Sequence, residues 1–197
     1  MAYPTIDAPY GLVPVKLLSG VPFVGLTRQY SIASAYGTNI FHGDAVKLVT
    51  GGTIERDTAD AAMTPIGVFL GCTFTDPSSG NVTFRQYFPA STAASDIMAY
   101  VADGTDILFK AAVVSSGETI GDLAITDIGA NVAGVDNTGS TITGNSKVAI
   151  LDTSATTNTL PFRIVALVEE TKNSSGGYTE AYVKWNAGHQ FDNATGI

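Results

Sequence analysis

No segment of this 197-residue chain repeats apolar residues at i, i+3 and i+4 over three turns, so long amphipathic helices are excluded. Short runs rich in Val, Ile, Thr, Phe and Tyr recur instead. Clusters of Gly, Asp, Asn, Ser and Pro separate them. AVKLVT runs into Gly51-Gly52 and TIER, a hairpin signal. GVFLGCTFT, from Gly67 to Thr75, meets the dense turn cluster DPSSGN and is answered by VTFRQYF, Val82 to Phe88. IMAYVA and ILFKAAVV flank Asp103-Gly104, and LPFRIVALVEE and EAYVKWN flank KNSSGGYT, so the last two also read as a hairpin. PASTAASD reads as a single helical turn. The expected class is all-β, a small barrel or sandwich body. A break near residue 90 divides it into a region 27–90 and a second β-rich region 91–197, either as two subdomains or as one body.

Residues 1–26 differ from the rest. Pro4, Pro9, Pro14 and Pro22 punctuate a largely apolar stretch. Each proline fixes its own φ and pushes the preceding residue into extended space, so this is an extended arm and cannot be a central strand. Pre-extended apolar arms suit docking along another chain. Tyr3, Pro4, Ile6, Pro9, Tyr10, Leu12 and Val13 are the candidate partner-binding residues. Packing of the arm back on its own body is the competing reading.

Charge bounds the partners. Only 14% of residues are charged and the net charge is -8. The first 36 residues carry a net of +1 and the remainder a net of -9. Nucleic acid and anionic membranes are disfavoured. The first residues show no basic leader, and no apolar run is long enough to span a bilayer, so synthesis in a cytoplasm is expected.

Catalytic signals are absent. Cys72 is the only cysteine and lies in an apolar alternating strand. His42 and His189 lack any neighbouring metal-ligand spacing and read as turn or surface side chains. Asp57 with Asp60, Asp103 with Asp106, and Glu169 with Glu170 read as solvated turns and faces. The Asx-rich stretch from Asp122 to Asn145 lacks the calcium-loop spacing. No phosphate loop or dinucleotide fingerprint occurs. The expectation is a non-enzyme without cofactor or metal.

Three groups of residues resemble head decoration (cement) proteins of tailed bacteriophages, of the kind found in marine phages. They are AYPTIDAPYGLVPV; NIFHGDAVKLVTGGTI with TPIGVFLGCTFTD and FRQYFPAST; and SDIMAYVADGTDILFKAAV with IGDLAITDIGANV and NSKVAILDTSA. The similarity covers most of the chain and fades beyond about Asp152. It implies a virion structural protein on the outer surface of the icosahedral head, where it binds and bridges major capsid proteins. It also implies self-association as a dimer or trimer, and no catalytic residues. The alternative is a β-rich glycan- or host-binding phage module, which predicts an aromatic-lined groove.

Overall fold

The computed structural model describes residues 9–172, 177–186 and 188–192. Among these the chain forms thirteen strands and two short 3-10 turns, and no α-helix. The first half contains β1 (Val13–Leu17), β2 (Arg28–Ile32), β3 (Ala45–Leu48), β4 (Thr53–Arg56), β5 (Gly67–Thr75), β6 (Val82–Arg85) and β7 (Met98–Ala102). The second contains β8 (Ile107–Ser116), β9 (Thr119–Ile120), β10 (Asn131–Val135), β11 (Ala149–Ala155), β12 (Phe162–Leu167) and β13 (Glu180–Trp185).

These strands make two sheets, and each curls round on itself. In the C-terminal sheet the order β8-β11-β10-β12-β13 closes when β13 pairs back with β8, giving a five-stranded barrel. In the other sheet the order β3-β4-β2-β7-β5 returns through a β5–β3 pairing, and β6 hangs on the outside of β5. The chain passes from the C-terminal sheet to the other between β1 and β2 and returns between β7 and β8, not near residue 90. β1 joins the C-terminal barrel, antiparallel to β8. No helix forms in PASTAASD; Ala35 and Thr92 instead tie that segment to the second sheet by a backbone bond of 2.8 Å.

Local chemistry explains the hairpins. At the β5–β6 turn Asp76 accepts from the Ser78 amide at 2.8 Å, and Gly80 adopts φ +70°. Gly71 interrupts β5 with φ +141°, and a Cβ there would lie 2.7 Å from the Phe84 ring. The bulge lets that ring lie across the strand. β12 and β13 pair as the sequence predicts.

Trp185 sits at the centre of the C-terminal barrel. It stacks on Phe162 at 4.8 Å and meets Phe109 at 5.2 Å. The apolar cluster around it also takes in Leu12, Ala45, Met63, Val68 and Ala102, so the core runs across the junction between the two sheets. Met63 is the wedge: β10 admits it only because residue 134 is glycine, whose Cβ would lie 2.8 Å from the Met63 sulfur. The C-terminal segment closes the junction from the far side. The Gln190 side chain accepts from the Leu48 amide at 2.7 Å and donates to the Leu48 carbonyl at 3.1 Å.

Truncating this wedge tests the shared core. Met63→Ala is expected to cost about 2–5 kcal/mol in urea unfolding followed by Trp185 fluorescence. An unchanged midpoint would show that the sheets do not rely on it.

Candidate partner-binding surface

The structure places part of the proline-punctuated arm inside the fold. Tyr3, Pro4 and Ile6 lie outside the described residues. Pro9 is buried. The Tyr10 hydroxyl donates to Glu180, and the Lys110 ammonium lies 5.2 Å over the Tyr10 ring while pairing with Glu180 at 3.0 Å. Burial, reinforced by the Glu180 carboxylate, pushes the Tyr10 phenol far above its ordinary range. Leu12 is fully buried, and its amide donates to the Gly43 carbonyl at 2.9 Å. Gly11, with φ +86°, permits this approach; a Cβ there would meet Ser146 at 2.7 Å. Val13 opens β1 opposite Lys110 and remains partly exposed. Pro14 is tolerated because β1 is an edge strand, and the register shifts between Pro14 and Lys16. Pro9 and Leu12 therefore serve the fold.

The exposed apolar surface begins where β1 ends. Leu18, Val21, Val24 and Leu26 are all more than half exposed, and Val24 reaches 87%. A turn closed by the Gly20 amide on the Leu17 carbonyl returns the chain, and the Phe23 amide donates to Val15 at 2.9 Å. Phe23 tucks against the core and pins the segment. Among the described residues the amides of Val24, Gly25 and Leu26 donate no hydrogen bond. The segment is thus an apolar ledge with free backbone, anchored at Phe23. A signal for it exists in LLSGVPFVGL: its apolar residues do not alternate, so one buried face cannot take them all.

The chemistry-bearing side chains do not form a site. Cys72 is buried, and burial pushes its thiol up to about 12. His189 lies in a turn, one of the two positions expected of it, but its side chain is fully buried against Trp185 and Phe191 and not at the surface. Burial lowers the pKa of both His42 and His189. Among the described residues no three His, Cys, Asp or Glu side chains are grouped to hold a metal ion. Two carboxylates expected in solvent are buried. Asp57 accepts from the Thr64 amide at 2.7 Å, and Asp103 accepts from the Tyr30 hydroxyl at 2.6 Å.

Sequence reasoning missed a buried ion cluster at the barrel junction. Arg56, 9% exposed, reaches Asp44 at 3.2 Å, Asp136 at 2.6 Å and the Asn137 carbonyl at 2.8 Å. Asp44 also accepts from the Phe41 amide at 2.8 Å. Asp60 accepts from the Asp136 amide at 2.6 Å, holding the same junction. Desolvation at Asp44 outweighs the attraction of Arg56 and pushes its carboxyl up to about 6.

No protein family model, characterised protein sequence or solved structure matches this chain.

The raised Asp44 value has a definite sign. Between about pH 6 and 4 the folded chain holds a proton that the unfolded chain releases, so this group favours folding as pH falls. His42 and His189 act oppositely, because their lowered values disfavour the folded state once an unfolded imidazole would protonate. Comparing wild type with Asp44→Asn isolates the carboxyl. On going from pH 7 to 4.5, wild type is expected to gain about 2 kcal/mol relative to the variant in urea unfolding. A constant difference would contradict the assignment.

Proposed function

We propose that this protein is a head decoration protein of a tailed bacteriophage. In this reading it docks on the outer surface of the icosahedral head and bridges major capsid proteins. The observation that carries it is the ledge from Leu18 to Leu26, which presents four large apolar side chains beside unpaired backbone on a body with a shared core. Such a strip gains affinity by adding main-chain hydrogen bonds and seating alternate side chains in a partner's pockets. The acidic remainder of the chain supports the reading, since it opposes non-specific clumping of copies and disfavours contact with packaged DNA. Repetition over a capsid lattice multiplies a modest single-site affinity.

The mechanism is passive. The ledge lies against a capsid subunit, and the two barrels span the groove to its neighbour. Val24→Asp with Leu26→Asp changes two exposed positions and leaves the core untouched. Sedimentation of the purified protein with undecorated heads of the encoding phage is expected to show binding weakened at least about tenfold by the double substitution. Equal binding by variant and wild type would remove the ledge from the interface. No binding of wild type to heads would overturn the reading itself.

A further inference from the structure

Across β2, β7, β5 and β6 the outer face of the second sheet carries an uncharged row that ends in an unpaired strand; the charged Glu55 and Lys47 lie farther round, on β4 and β3. Register places Val82 and Phe84 of β6 beside Thr75 and Thr73 of β5. Thr73 continues to Met98, and Gly71 to Tyr100, on β7. Ser31 and Gln29 of β2 complete the row. None of these residues is charged, in a chain with a net charge of -8. Asp96 stands at the rim, where its carboxylate is taken by the Thr75 amide and hydroxyl. Val82 is 78% and Phe84 62% exposed, and the Phe84 ring reaches Tyr100 at 6.1 Å. Among the described residues β6 pairs with β5 alone, so its second edge offers free amides and carbonyls.

An apolar edge strand of this kind is a template for strand addition. Charge selects its occupant. Two acidic bodies repel over most of their surfaces, but this face brings no like charges together. The strand is also self-complementary. In an antiparallel pair, residues directly opposite share a face, so outward Val82 and Phe84 must oppose outward residues. Centring the pair on Thr83 places Val82 opposite Phe84 of a second copy, and Phe84 opposite that copy's Val82. Arg85 then faces Asn81. Aromatic and β-branched residues are favourable partners across strands, and the arrangement is isologous, closing after two copies.

We propose that β6 pairs antiparallel with β6 of a second copy about a twofold axis at Thr83, joining the second sheets of two molecules. β5 and β7 separate β6 from β2, into which the ledge runs, so the pairing leaves the ledge available. The inference needs no head, and its test is independent of the decoration reading.

Sedimentation equilibrium of the purified full chain is expected to show a concentration-dependent dimer. Phe84→Lys and, separately, Val82→Lys alter exposed positions and should each weaken it at least about tenfold by placing charge on the paired edge. Thr83→Cys should yield a disulfide-linked dimer with copper phenanthroline, whereas wild type, whose only thiol is the buried Cys72, should not. A monomer at every loading concentration would overturn the proposal. So would a dimer indifferent to both lysines, or an absence of crosslinking at residue 83.

Discussion

Arg56 ends β4 with its guanidinium almost wholly out of water, and the arrangement of the molecule follows from the need to satisfy it. Its partners come from two places far apart in the chain: Asp44 before β3, and the adjacent Asp136 and Asn137 after β10. Removing one partner of such a buried pair typically costs about 3–5 kcal/mol, because the remaining charge is stranded. The two sheets therefore meet in a fixed way, with Asp60 holding the Asp136 amide beside the same contact. Apolar packing surrounds this polar joint. Leu12, Met63 and Val68 enter the cluster that Trp185 centres, so one core serves both sheets.

That joint determines what the N-terminal segment can do. Leu12 is inserted where Gly11 and Gly43 let two backbones approach, and Tyr10 is held by Glu180 and Lys110. β1 then pairs with β8. From Pro9 to Leu17 the chain is a strap on its own body. The apolar residues left for a partner are those immediately beyond, at Leu18, Val21, Val24 and Leu26. The strap on the body and the exposed apolar ledge thus belong to successive stretches.

The class and the hairpins were legible because their causes are local. Turn residues such as Asp76 and Gly80, and β-prone runs on either side, specify β5–β6 without help from the rest of the chain. The crossover was not legible. β7 and β8 look like neighbours across Asp103-Gly104, yet they enter different sheets. Their partners, including the parallel pairings β2–β4 and β8–β11, are set by contacts distant in sequence. The fate of individual leucines was equally hidden. Leu12 and Leu18 sit in similar apolar surroundings, and only Gly11 beside Leu12 and Gly43 opposite it give Leu12 a place inside. Asp44, Arg56 and Asp136 are each ordinary polar residues in sequence, and the burial of the first two, with Asp136 partly covered beside them, emerges only when both sheets close.

The central claim is that residues 9–17 belong to the fold and that the exposed side chains of 18–26, anchored by Phe23, are the proposed contact with a partner. Hydrogen–deuterium exchange of the protein, free and bound to undecorated heads, tests it most directly. In the free protein the amides of Val24, Gly25 and Leu26 should exchange fast, since none donates a hydrogen bond among the described residues. The amides of β1 that pair with β8 should already be protected. Binding should slow exchange in 18–26 and leave 9–17 unchanged. Exchange in 18–26 that is the same with and without heads, alongside new protection elsewhere in the chain, would contradict the account.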